Sequence, residues 1–380
     1  MTSITRVNML FFNTTSPINT RNRTHTFAAN TALALGSLLL CLLAIEAGYR
    51  LIDPFPYISQ NESNHSEYGN LSGYDQLLGW KGVPSAQAEF ITNNSRTWLK
   101  NNSLGFRDIE HAAADRAKPA IVFLGDSFTW GYEVNFEEMF VNRLRNMLPE
   151  FDIHNLSHRG YGTDQSLLTF AGWNHPGPIR HVVLMMSEND VDDNNSDYGS
   201  GKPKPIFQLI DGQLVLRGVP VPMLDSWATP PPPEKFVESW KSRGIEFFLR
   251  SHLVHDMAYR LFLHRQGRET REPFPPLPAG NDLTLTRHLL GELKKEATAR
   301  KAELTIFLIP SKREIEKLDG APPYQTAIAD ICANLGIRCH DLATDFKKEW
   351  LRTYYRHGMH WNPRGNRVAS QAIYSRLTGR

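Results

Sequence analysis

The tightest constraint in this sequence is a run of four apolar residues, Ile121-Val122-Phe123-Leu124, that leads without a polar break into Gly125-Asp126-Ser127. Three of the four are β-branched or aromatic. That is the composition of a strand buried on both faces, and such strands belong to parallel sheets covered by helices. The Gly-Asp-Ser that follows reads as the turn into a helix. Ligand crevices of open α/β sheets lie at the carboxyl ends of their strands, so Ser127 stands where chemistry is done. Taken alone, the same serine reads equally well as a helix N-cap.

The remaining pattern keeps an α/β rhythm. Strands are expected at Asp152–Leu156, at His181–Met186, at Leu304–Pro310 and up to Leu342, with helices over Leu283–Lys301 and Tyr324–Asn334. Asn362-Pro363 opens a last helix that carries Val368, Ala369, Ala372, Ile373 and Leu377. This alternation predicts an α/β fold of three layers, α/β/α, around a central parallel sheet. A chain of 380 residues that is 41% hydrophobic can bury one sizeable domain plus appendages.

Polar blocks follow the strands in a fixed order. After the second strand comes Ser157-His158-Arg159-Gly160-Tyr161-Gly162, after the third Ser187-Glu188-Asn189-Asp190, and near the end His357-Gly358-Met359-His360-Trp361-Asn362. With Gly125-Asp126-Ser127 at their head, these blocks resemble the SGNH/GDSL hydrolase superfamily over roughly residues 118–378. Thr129 breaks the Gly-x-Ser-x-Gly elbow of the α/β-hydrolases. The resemblance implies a flavodoxin-like fold, Ser127 as nucleophile and His360 as the base that takes its proton. It also implies an oxyanion hole made by the backbone N–H of Ser127, the backbone N–H of Gly160 and the side-chain amide of Asn189. Each role suits its residue, because a serine hydroxyl needs an adjacent base near neutral pH and a glycine lets backbone approach a substrate closely. Gly162 competes for the glycine role, and counting from Asn155 favours Gly160.

One departure matters mechanistically. The superfamily's last block carries an acid three residues before the histidine, and here that slot is His357. An imidazole cannot supply the negative charge, and a protonated one would oppose ionisation of His360. Either a Ser-His dyad works alone or another carboxylate reaches His360, with Asp190 and Asp341 as candidates. A degenerate binding protein that kept the fold and lost turnover is the competing reading. His357 and His360 lack the spacing and companions of a zinc site, and Asp190, Asp192, Asp193 and Asn194 miss the calcium-loop pattern. No metal and no cofactor is expected.

Placement follows from the amino-terminal region. Residues 27–46 form an apolar stretch about one bilayer wide. Arg6, Arg21 and Arg23 precede it, while Glu46 and Asp53 lie at and beyond its end, so residues 1–26 are expected in the cytoplasm and the remainder outside. A signal anchor fits better than a cleaved signal peptide, since small residues at a cleavage site are missing. Residues 47–117 read as an Asn/Ser-rich linker and a strap that includes Asn102–Asp108. Residues 118–380 read as the catalytic domain, interrupted by an insertion at about 192–281. Within the insertion, a hairpin is expected about Asp211-Gly212, a stiff connector at Pro230–Pro233 and an apolar-striped helix over Glu234–Leu263. Cys332 and Cys339 are expected as buried free thiols, and a net charge of +2 gives no case for nucleic acid. The combined reading is a single-pass, periplasm-facing serine esterase whose partners are an ester-bearing small molecule or glycan and the inner membrane. An O-acyltransferase acting on a cell-envelope or exported polysaccharide is the alternative.

Overall fold

The structure, a computed structural model, describes residues 20–55, 58, 71–112, 118–224, 250–258, 261, 283–316 and 323–379. The chain forms two compact units, residues 1–51 and 52–380. A helix runs over Thr20–Ile52, and its stretch His25–Ile52 is long and apolar enough to cross a membrane. At 1.5 Å per residue, 28 residues reach about 42 Å, more than a hydrocarbon core of about 30 Å. Leu33, Leu35 and Leu40 are exposed on it, as a helix that is apolar all round requires of its surroundings.

The larger unit opens with two antiparallel hairpins. One pairs β1 (Ser72–Asp75) with β2 (Gly79–Gly82), the other β3 (Gln87–Ile91) with β4 (Arg96–Lys100). Then come β5 (Ala120–Leu124), β6 (Asp152–Asn155) and β7 (Ile179–Met186). Two further antiparallel pairs follow, β8 (Tyr198–Gly199) with β9 (Lys202–Pro203) and β10 (Ile206–Ile210) with β11 (Gln213–Arg217). Last come β12 (Glu303–Leu308) and β13 (Arg338–Asp341).

The central sheet has the order β13-β12-β7-β5-β6, every pair parallel. Counted along the chain, its strands lie in the order 2-1-3-4-5. This is the flavodoxin-like order, whose switch point falls between the first and third strands. Those strands are β5, which delivers Ser127, and β7, which delivers Asn189.

Alternation along β5 explains the three layers. Ala120, Val122 and Leu124 pack with Leu167, Leu289, Leu293 and Ile328 from helices Thr163–Gly172, Leu283–Ala299 and Pro323–Leu335. Ile121 and Phe123 face the other way, onto Phe140, Leu144, Phe346 and Ile373 from helices Phe140–Met147, Ala343–Lys348 and Pro363–Thr378. Successive strand residues point to opposite faces, so a strand sandwiched by helices must be apolar throughout.

The expected hairpin at Asp211-Gly212 is formed, with φ of 51° and 74° at its two central residues, as a two-residue turn between twisted strands demands. Cys332 is buried and Cys339 half-buried, both as free thiols. Pro230–Pro233, most of Glu234–Leu263 and residues 59–70 of the linker lie outside the described residues.

The strap is built into the larger unit. Gly82 and Gly105 cross so closely that a Cβ on Gly105 would lie 2.2 Å from the Gly82 carbonyl oxygen, and Gly105 has φ +90°. Gly201 has a similar φ of +76° with open space around it. Gly201→Ala is therefore expected to cost only the left-handed penalty, about 1 kcal/mol, whereas Gly105→Ala adds a backbone collision for a total above about 2 kcal/mol. Denaturant unfolding of the two variants checks this, and equal midpoints would mean that the crossing is loose.

Candidate active site

Ser127 opens a four-residue helix, Ser127–Trp130, directly after β5. Asp126 caps it, accepting from the Phe128 N–H at 2.9 Å, and Gly131 ends it in the left-handed region at φ 84°. The proposed serine cap is thus not the arrangement found, because the capping residue is Asp126 and the Ser127 side chain is left for another partner. Its Oγ lies 2.8 Å from His360 Nε2, across 233 residues of sequence.

His360 is delivered by a loop pinned at both ends. The Tyr355 N–H donates to the His360 carbonyl at 3.0 Å and the Asn362 N–H to the Thr353 carbonyl at 2.9 Å. Asn362 Oδ1 then caps the last helix through the Arg364 and Gly365 N–H groups, with Pro363 at its first turn. Tyr132 covers the imidazole, with ring centroids 4.2 Å apart, and Phe128 approaches it at 5.1 Å. Burial among these rings pulls the His360 pKa down to about 4.

The other imidazole nitrogen faces a carboxylate that the sequence reading missed. Glu133 Oε2 lies 3.9 Å from His360 Nδ1, and the side chain is 5% exposed. Glu133 Oε1 accepts from Asn94 Nδ2 at 2.9 Å. Burial raises the Glu133 pKa, opposed by hydrogen bonds from Thr92 and Asn94 and by the charge of Lys312. The Glu133 backbone is left-handed at φ 66°, a conformation that costs a non-glycine residue about 1–2 kcal/mol. Such strain persists only where the surroundings enforce it. Here the Tyr355 hydroxyl donates to the Glu133 carbonyl at 2.8 Å, and the buried Arg107 guanidinium donates to the carbonyls of Trp130, Gly131 and Val134 around it.

The three orienting groups anticipated from sequence lie elsewhere. His357 turns away from His360, its Nε2 2.5 Å from His255 Nε2 and the two rings stacked at 4.7 Å. Burial pulls His357 down to about 4, so it is neutral at ordinary pH and does not oppose protonation of His360 as a cation would. What it contributes is backbone, since its N–H donates to Asn94 Oδ1 at 3.1 Å and its carbonyl accepts from Asn94 Nδ2 at 2.7 Å. Asp190 is bound to the Ser187 N–H at 2.8 Å and the Thr163 hydroxyl at 3.1 Å, with a pKa pushed well up by burial. Asp341 accepts from Gln325 Nε2 and the Ala343 N–H.

The sequence matches no protein-family model and no curated relative. Solved structures do match. A lipolytic protein of the G-D-S-L family from Veillonella parvula shares 14% identity, covering 68% of this chain and 96% of its own at a TM-score of 0.38. An acetyl xylan esterase shares 12% identity over 68% and 99% of the two chains at a TM-score of 0.36. An esterase from Pseudoalteromonas sp. shares 11% over 69% and 98% at a TM-score of 0.35.

Two residues that name the SGNH pattern remain to be located. Gly160 has φ +73°, the left-handed region that favours glycine, and a Cβ there would lie 1.9 Å from Ser200 Oγ, which would have to turn aside. Gly162 keeps an ordinary φ of −87°. Asn189 uses one of its amide hydrogens on Asp193 Oδ2 at 2.7 Å, while its Oδ1 accepts from the Ser187 hydroxyl at 2.7 Å. The side chain is thereby held by both ends, next to the carboxyl end of β7.

A histidine must be neutral to accept a proton. With its folded pKa lowered from 6.5 to about 4, His360 stays neutral through the mildly acidic range and becomes protonated only as pH falls toward 4. Any turnover that uses His360 as its base is expected to show an acid limb in kcat/KM well below pH 6.5. A midpoint at or above 6.5 would contradict the burial argument.

Proposed function

We propose that this chain is a membrane-anchored, extracytoplasmic serine esterase that cleaves an acyl ester through an acyl-enzyme on Ser127. The observation that carries the reading is the 2.8 Å contact between Ser127 Oγ and His360 Nε2, with the Glu133 carboxylate on the far side of the same imidazole. A nucleophile, its base and a third group behind the base form the constellation that acyl transfer needs, wherever each residue comes from in sequence.

In the proposed mechanism Ser127 Oγ attacks the ester carbonyl carbon as its proton passes to His360 Nε2. The tetrahedral intermediate holds its oxyanion against the backbone N–H groups of Ser127 and Gly160 and the second amide hydrogen of Asn189. Each such donor is worth roughly 3 kcal/mol in the transition state. Collapse breaks the C–O bond to the alcohol, which leaves with the proton from His360. Water then attacks the acyl-enzyme, again giving its proton to His360, and Ser127 is regenerated with release of the acid. Glu133 is the positioning carboxylate. At 3.9 Å it is beyond hydrogen-bond length from Nδ1, and the positive charge formed on the imidazole draws the pair together.

Location follows the apolar helix. With arginines ahead of the span and acids at and beyond its end, the catalytic unit faces outward, toward acyl groups on envelope or exported glycans. An acetyl ester is the natural first probe.

Full-length protein in detergent micelles is expected to hydrolyse p-nitrophenyl acetate, and Ser127→Ala to fall to background. Equal rates in both would favour the degenerate binding protein. Glu133→Gln is expected to lower kcat by roughly 10²-fold with little change in KM, because the imidazole loses its counter-charge while the substrate contacts remain. An unchanged kcat would instead assign the chemistry to Ser127 and His360 alone.

A further inference from the structure

Away from the catalytic crevice, five imidazole and carboxylate side chains meet beside β6. Asp108 and His111 come from the end of the strap, Asp152 and His154 from β6, and His175 from the loop after helix Thr163–Gly172. Their side chains are between 2% and 8% exposed.

The geometry converges on Asp152 Oδ2. His154 Nε2 lies 2.9 Å from that oxygen and His175 Nε2 lies 3.6 Å from it. His175 Nε2 is a buried nitrogen with no hydrogen-bond partner. The other nitrogen of that ring, Nδ1, is 3.0 Å from the Gly177 carbonyl and 3.1 Å from the Gly177 N–H. When Nδ1–H donates to the carbonyl, the Nε2 lone pair points at a carboxylate oxygen. Two lone pairs facing each other in a buried site repel, and a cation between them converts that repulsion into two bonds. The Trp173 ring stacks on His175 at 5.3 Å and meets His154 edge-on at 4.9 Å, which fixes both imidazoles.

The outer contacts are those of a ligand set. His111 stacks on His154 at 3.7 Å and bridges two carboxylates, Asp152 Oδ1 at 2.6 Å and Asp108 Oδ2 at 3.0 Å. Asp108 Oδ1 in turn holds Arg145 at 2.5 Å. Backbone carbonyls and charged side chains that orient the first ligands are the usual second layer around a protein-bound metal.

We propose that Asp152, His154 and His175 bind one Zn²⁺ ion, with water in the fourth position. Zinc bonds of about 2.0–2.1 Å in a tetrahedron put neighbouring ligand atoms about 3.3 Å apart. The two separations at Asp152 Oδ2, 2.9 and 3.6 Å, bracket that value. Two imidazoles and one carboxylate suit a borderline-soft ion; calcium and magnesium favour sites made of oxygens. The ion ties β6 to the loop after the following helix, and through His111 to the strap.

Tag-free, full-length protein in detergent micelles, stripped with a chelator, is titrated with Zn²⁺ against a chromophoric competitor. About one ion per chain is expected at submicromolar affinity. His175→Gln is expected to weaken binding by about 10²-fold, while its metal-free form keeps the wild-type circular dichroism and denaturation midpoint. Co²⁺ added to the wild-type protein is expected to give the intense visible bands of four-coordinate cobalt, a readout that does not depend on any variant folding. Wild-type affinity weaker than micromolar, unchanged affinity in His175→Gln, or the weak bands of six-coordinate cobalt would each overturn the proposal.

Discussion

The buried guanidinium of Arg107 is the contact on which the geometry of the candidate site hangs. It comes from the strap, lies over the Trp130 ring at 5.1 Å and binds the carbonyls of Trp130, Gly131 and Val134 at and after the end of the Ser127 helix. Burial pulls its pKa down to about 9, which still leaves it charged at neutral pH. An ion in such a place is tolerated only when hydrogen bonds replace its water, and removing it would strand the carbonyls as well. The arrangement holds Glu133 in a backbone conformation it would not choose, with its carboxylate turned toward His360. Asn94, in the turn between β3 and β4, completes the frame, joining the Glu133 side chain to the His357 backbone. The strap is therefore part of the frame that holds the candidate site.

This explains what could and could not be read from the sequence. The sheet was legible because β5 is apolar at every position, a pattern only a doubly covered strand needs. Ser127 and His360 were legible because each stands in an ordered block tied to the end of a sheet strand or the start of a helix. Glu133 was not, because an orienting carboxylate is defined by where it points, and neither spacing nor periodicity records that. A signal existed: Glu133 is an acid set between Tyr132 and Val134, in a stretch that otherwise reads as core. Asn94 gave none, since an asparagine in a hairpin turn has reason enough to be there. The imidazole and carboxylate cluster was hidden more completely. Its residues come from three separate segments, and the two local pairs, Asp108 with His111 and Asp152 with His154, give no sign of meeting each other or His175.

The insertion shapes the crevice from its other side. Its first hairpin places Ser200 against Gly160, and its helical segment at 252–258 places His255 against His357. The turn carrying Gly160 and the loop carrying His360 are thus both backed by a region with no counterpart in the sheet's α/β rhythm. Change in that insertion can reshape the crevice while the sheet, the strap, Ser127 and His360 stay as they are. Loops on a rigid scaffold commonly divide labour in this way.

The position of β6 has a consequence for encounters between copies of the chain. It is the last strand of the sheet, and such a border presents unpaired amides to any passing chain. On this border the Asn155 N–H, which points away from β5, is taken at 2.8 Å by Asp108 Oδ2. A side chain occupies the site where a foreign strand would dock. Blocking this seam keeps encounters between copies from growing into a shared sheet.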